Sequence, residues 1–212
     1  MEFLAERQAI IEIGRRLYER GLVVANDGNI SVRLSDGTIL CTPTGVSKGG
    51  LNEQMLPRLG PDGSIIYAQQ GFGPSSEVKM HLRVYELDES VNGVVHAHPV
   101  HATAFAIRGE TFDAPIMPET VVALPRVPLA PYATPSTAEV PDSISDLVVG
   151  NSACLLEHHG ALSWGPTVEA AMLTMERLEY MAQVTAVAQS LGGVRTLSAD
   201  RVAELHRIFG KR

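Results

Sequence analysis

No run of apolar residues in this chain approaches the ~20 needed to cross a bilayer, so a membrane partner is not expected. The opening, Met1-Glu2-Phe3-Leu4-Ala5-Glu6-Arg7, lacks both the basic and the apolar region of a secretory signal. A cytoplasmic location is the expectation. Cysteine is scarce: Cys41 and Cys154 sit in apolar, strand-like runs and form no Cys-x-x-Cys pair. Two reduced, buried thiols are therefore expected in place of a disulfide. Positive charge is also short, with 17 Lys plus Arg against 24 acids, a formal charge of −7 and no basic stripe. Nucleic acid is not an expected partner. An acidic chain that binds an anion has to build a local pocket from backbone amides, because its overall field repels one. The sequence has no internal repeat, low-complexity tract or linker, and its 212 residues suit a single domain over 1–212.

What is present indicates a globular protein, with 45% hydrophobic and 19% charged residues. Apolar groups at Leu4, Ile10, Ile11, Ile13, Leu17 and Tyr18 predict a helix over 2–20, ended by Gly21. Residues 29–34 alternate like a strand, 35–37 turn, and 38–42 return as the hairpin partner. A short strand is expected at 65–67. Pro74-Ser75-Ser76-Glu77 opens a helix with apolar groups at Val78, Leu82, Tyr85 and Leu87. A strand ending in His96 and His98 follows, then a short helix over 100–107. The proline-rich stretch 115–141 reads as loop, with a short strand near 127–129. A helix is expected over 142–149, a buried strand over 153–157, a long helix over 167–191, and a last helix from 197 to the end of the chain.

The most informative pattern is His96-Ala97-His98. Residues two apart on a strand share a face, with Cα atoms roughly 6.5 Å apart. Two such imidazoles can converge on one ion. A third ligand from the distant His158-His159-Gly160 would complete the open, three-histidine arrangement of catalytic zinc. Glu77, read alone, is a helix-start carboxylate interacting with the helix dipole.

Four collinear segments resemble the class II aldolase and adducin-head family, most closely its L-fuculose-phosphate aldolase branch. They are 27–33 with Thr42-Pro43-Thr44-Gly45; Pro74-Ser75-Ser76-Glu77; His96-Ala97-His98-Pro99-Val100-His101; and Leu155-Leu156-Glu157-His158-His159-Gly160. Ala130-Pro131-Tyr132-Ala133-Thr134 is a weaker fifth. The resemblance implies an α/β three-layer sandwich, a central mainly antiparallel sheet flanked by helices, assembled as a homotetramer with interfacial active sites. It implies that His96, His98 and His159 hold Zn2+, one ion per subunit. Glu77 then acts as catalytic acid/base and as a fourth ligand when substrate is absent. His158 becomes a neighbour of the site, His101 a helix-start residue beside it, and His81 and His206 ordinary residues.

The implied substrate is a phosphorylated sugar, a ketose 1-phosphate cleaved reversibly to dihydroxyacetone phosphate and an aldehyde. Gly28, Asn29, Thr44, Gly45, Ser75 and Ser76 make physical sense as its binding residues. A glycine permits close backbone approach, an amide and hydroxyls donate hydrogen bonds, and a helix start favours an anion. Lys48 reads as a phosphate partner or as a solvated loop lysine. Two departures concern the aldehyde half. Glu119 stands where the branch carries a tyrosine, and the sequence stops at Arg212, near where a second tyrosine would lie. The alternatives are a 4-epimerase, dehydratase or decarboxylase on the same metal scaffold, or a non-catalytic adducin-like assembly module.

Overall fold

The computed structural model describes residues 2–112 and 114–210. Its centre is an eight-stranded sheet. In chain order the strands are β1 (Asn29–Arg33), β2 (Ile39–Cys41), β3 (Arg58–Leu59), β4 (Ile65–Tyr67), β5 (Gly93–Ala97), β6 (Leu129–Ala130), β7 (Ala153–Leu156) and β8 (Gly160–Gly165). Across the sheet the order is β4-β3-β2-β1-β5-β8-β7-β6. Every pairing is antiparallel except β6 with β7. The expected mainly antiparallel α/β sandwich is what forms.

Strand alternation divides the core between the two faces of the sheet. Ile30, Val32, Val95, Ala97, Leu155 and Ala161 bury one face. It is covered by α1 (Leu4–Glu19), α3 (Val100–Arg108) and α6 (Val168–Ser190). Ile39, Cys41, Val94, Cys154, Leu162 and Trp164 bury the other, under α2 (Val78–Leu87) and α5 (Glu139–Val148). Burial on two faces explains why β5 and β7 read as continuous apolar runs without alternation. Cys41 and Cys154 are buried and free, and burial pushes both thiols up to about 12. They are inert packing residues at neutral pH.

Several local expectations need correction. The stretch expected as loop contains α4 (Pro118–Ala123), whose proline occupies the first turn, where a missing N–H costs nothing. Helix α5 begins at Glu139, three residues before the expected start, with Pro141 tolerated in its first turn. Strands β3 and β8 were not expected. The last helix, α7, covers Ala199–Phe209, and its expected continuation over 211–212 lies outside the described residues. Among the described residues no helix is long and apolar enough to cross a membrane.

Candidate metal centre

Sheet register brings the site together. Asn29 of β1 lies directly opposite His96 of β5, and Ala97 lies opposite Ala161 of β8. His96 shares the face of Val94, so its ring points toward the layer that begins with α2. Glu77 is the residue before Val78 at that helix start. His98 falls one residue beyond the strand, and its N–H is anchored on the Leu22 carbonyl at 3.0 Å. His159 is the last residue of the turn joining β7 to β8, after His158 with a left-handed φ of 56°. A Cβ on Gly160 would stand 2.6 Å from the Ala97 carbonyl oxygen and 2.7 Å from His98 Cδ2. That is the physical reason for a glycine directly after this histidine: anything larger would push His98 away.

The three imidazoles, one fully buried and two partly so, place their ligand atoms within 4.8 Å of one another. His96 Nδ1 bonds the Ala161 carbonyl at 2.9 Å, which fixes the proton there and leaves a lone pair on Nε2. The Asp27 carboxylate lies 3.6 Å from His98 Nδ1 and favours the same tautomer in His98. The two Nε2 atoms then face each other at 3.1 Å with lone pairs, a repulsive arrangement that a cation relieves. Burial, reinforced by the neighbouring imidazoles, pushes His96 and His98 below the usual histidine range, the nearby carboxylates opposing it only in part. Both are therefore neutral at pH 7, the form that binds metal. The donor set fits a divalent ion.

Glu77 completes the cluster. Its Oε1 lies 3.2 Å from His159 Nε2, and its Oε2 lies 3.6 Å from His96 Nε2 and accepts from Asn29 Nδ2 at 3.2 Å. Burial opposes its ionisation, but the His159 hydrogen bond and the flanking imidazoles outweigh that and hold the carboxyl at about 2. Asn29 is 2% exposed, and its Oδ1 has no protein partner. Ser75 Oγ stands 3.4 Å from Asn29 Nδ2, so it joins the same group.

The other expected binding residues sit in loops beside it. Thr44 and Gly45 are exposed on the turn after β2, and Gly45 adopts φ 72°. The Thr44 N–H is taken by the Gly73 carbonyl and the Ser75 N–H by the Thr42 carbonyl. These bonds lay the two loops side by side and take up the Thr44 and Ser75 N–H groups. Ser76 Oγ turns outward to Ser136 Oγ at 2.8 Å, away from Asn29. Gly28 approaches the His96 carbonyl so closely that a Cβ would stand 2.8 Å from it. Its glycine identity thus belongs to the packing behind the histidines.

Asp27 and Glu179, whose roles pattern reading missed, also shape the site, as does Lys48, which that reading left between two roles. Asp27 reaches His98 only because of the β1–β5 register. Glu179 on α6 caps α3, accepting the N–H groups of His101 and Ala102 at 3.1 and 3.0 Å and contacting His101 Nδ1 at 2.8 Å. It thereby fixes the chain where it leaves His98. Lys48 is no solvated loop lysine, being 1% exposed.

The Class II Aldolase and Adducin N-terminal domain model matches residues 8–186. The chain belongs to the class II aldolase and adducin family. Among curated members of that family, a 3-oxo-tetronate 4-phosphate decarboxylase from Pectobacterium atrosepticum is 35% identical over 205 residues, 94% of this chain and 91% of its own length. An L-fuculose phosphate aldolase from Methanococcus maripaludis is 31% identical over 182 residues, 85% of this chain and 96% of its own length. Among solved structures of the family, YgbL from Klebsiella pneumoniae, described with the three alternatives aldolase, epimerase and decarboxylase, superposes with a TM-score of 0.87. It is 32% identical, and the match covers 97% of this chain and 99% of that one. Family membership makes this chain a class II aldolase-type enzyme, a lyase with a metal-binding histidine triad.

Proposed function

We propose that this chain is a metal-dependent decarboxylase of a phosphorylated 3-oxo sugar acid of the 3-oxo-tetronate 4-phosphate type. The observation that carries the reading is the convergence of His96, His98 and His159 with the Glu77 carboxylate 3.2 to 3.6 Å from two of them. A purely assembling, adducin-like role has no use for that cluster. His96, His98 and His159 would hold the ion, with zinc the natural occupant of neutral imidazoles, and Glu77 would join them before substrate enters. The ion would supply a Lewis acid for the substrate oxygens that take up charge as the C–C bond breaks.

The chemistry of a 3-oxo acid balances simply. The C1–C2 bond breaks, C1 leaves as CO2, the electron pair remains at C2 in conjugation with the C3 carbonyl, and C2 takes one proton. The product is dihydroxyacetone phosphate. Glu77 is the group positioned to pass that proton, which it must first take up from water because it rests ionised. Asn29 holds the Glu77 carboxylate in place through the 3.2 Å hydrogen bond. Gly45, Thr44 and Ser75 would receive the phosphate, with Ser76 at the rim.

This reading takes the place of the ketose 1-phosphate cleavage expected from the motifs, because the Pectobacterium relative, similar over nearly the whole chain, is named as a decarboxylase. Aldol cleavage is kept as the second reading on the strength of the Methanococcus relative. The two reactions differ only in the electrophile that departs, CO2 or an aldehyde, and leave the same three-carbon phosphate. Incubating the zinc-loaded protein with 3-oxo-tetronate 4-phosphate should release CO2 and dihydroxyacetone phosphate in equal amounts. Dihydroxyacetone phosphate from L-fuculose 1-phosphate, with no CO2 from the acid, would favour the second reading, and inertness toward both substrates would dismiss both. Glu77→Gln should lower kcat by roughly 10²- to 10⁴-fold while zinc content stays near one per chain; undiminished turnover would remove Glu77 from the chemistry.

A further inference from the structure

Burying a lysine is costly unless its ammonium is well bonded. Lys48 nevertheless lies almost wholly inside, in the short 3-10 turn Lys48–Gly50 beneath α1. Its own carbonyl oxygen is 2.6 Å from where a Cβ on Gly14 would stand, so the turn is wedged against the helix. Among the described residues no carboxylate is within ion-pair distance of it. Instead Nζ donates to two carbonyls, Asn26 at 2.9 Å and Val46 at 2.8 Å.

Those two acceptors belong to different walls of the site. Asn26 precedes Asp27-Gly28-Asn29, which carries the carboxylate beside His98 and the amide beside Glu77. Val46 follows Thr44-Gly45, the exposed turn proposed to receive phosphate. We infer that Lys48 is a positioning residue, a buried brace that sets the separation of the 26–29 loop from the 44–46 turn and so the width of the anion pocket. The role assigned to the side chain is bracing and not anion contact, since two of its three N–H donors are held by the Asn26 and Val46 carbonyls. Asp27 and Glu77 favour its charged form against burial, which pulls the ammonium down to about 8. The inference rests on the proposed reading in one respect, that the 44–45 turn takes the substrate phosphate.

The test compares the zinc-loaded wild type with Lys48→Met, which fills the space without donors, and Lys48→Gln, which keeps two N–H donors without the charge. Inorganic phosphate binding is measured by calorimetry, zinc content by metal analysis, and kcat and KM with 3-oxo-tetronate 4-phosphate. A brace for the anion pocket predicts roughly tenfold weaker phosphate binding and a matching rise in KM for Lys48→Met. Lys48→Gln should be intermediate, with kcat and zinc content near wild type in both. Equal phosphate affinity in wild type and folded variants would overturn the Lys48 inference alone. So would a fall in kcat at constant KM, or failure of both variants to fold, which would make Lys48 a folding residue. A wild type that turns over substrate but does not bind phosphate would overturn the phosphate reading of the turn and the brace together.

Discussion

The histidine cluster and the loops proposed to receive the phosphate are built by different means. His96 and Asn29 are set by strand register, and His98 and His159 sit directly at the ends of paired strands, with Asn29 opposite His96 and Ala97 opposite Ala161 inside an eight-stranded sheet. The anion side is made of turns, joined by the Thr44–Gly73 and Ser75–Thr42 backbone bonds and by the Lys48 ammonium. Register fixes many atoms at once and tolerates little change. Turns are held bond by bond and can be adjusted one at a time. On the proposed reading, the reacting bond would sit against the rigid part and the common phosphate against the adjustable one.

The glycines give the sharpest way to break the contrast. Gly160→Ala at the metal end would drive a methyl into Ala97 and His98 at 2.6 and 2.7 Å. We expect a loss of about 3 kcal/mol in stability, measured by urea unfolding, with a large drop in zinc affinity by chelator competition. Zinc affinity equal to wild type would show that the turn yields freely. Next in size is a pH effect on the α2 anchor, where buried His81 bonds Ser31 Oγ through Nδ1 at 2.7 Å. Burial lowers His81 to about 3 from an ordinary 6.5, so between those values the unfolded chain binds more protons than the folded one. Stability from this group is complete above pH 6.5 and is lost as pH falls, by about 2 kcal/mol between pH 6.5 and 5. His81→Leu should flatten the slope of unfolding free energy over that interval; an unchanged slope would assign the acid sensitivity elsewhere.

Asp27→Asn tests whether the carboxylate 3.6 Å from His98 Nδ1 sharpens the metal end. Zinc affinity should weaken by roughly tenfold, the low end for a group that orients a ligand, with little change in melting temperature. The smallest effect belongs to Gly45→Ala on the anion side. Nothing lies within 4 Å of the added methyl, so only the left-handed φ of 72° resists it. A loss of about 1 kcal/mol in stability with zinc affinity intact is expected. If Gly45→Ala and Gly160→Ala perturb zinc binding equally, the two ends are not mechanically distinct.

Pattern reading reached the metal end better than its surroundings. His96 and His98 stand out because their spacing is tied to strand geometry, His159 because the resemblance singles out the histidine before Gly160, and α1, α2 and α6 because apolar periodicity survives in them. Strand β8 escaped because Gly160 and Gly165 bound it and read as punctuation, although close approach to His98 and to the start of α6 is what requires them. Helix α4 was hidden by the prolines around it, one of which, Pro118, is its own first residue. The settings of Asp27 and Lys48 were illegible for another reason. Whether a charged loop residue faces solvent or a buried partner depends on tertiary register, and a linear sequence does not display that.

The distance along the chain between His96 and His159 has a consequence for biogenesis. Because they meet through the pairing of β5 with β8, no short peptide segment supplies all three donors. The complete donor set is therefore a property of the folded sheet and of no single segment. If the sheet closes without the ion, chelation should leave the fold in place, and the metal taken up would then follow cellular supply as well as intrinsic preference.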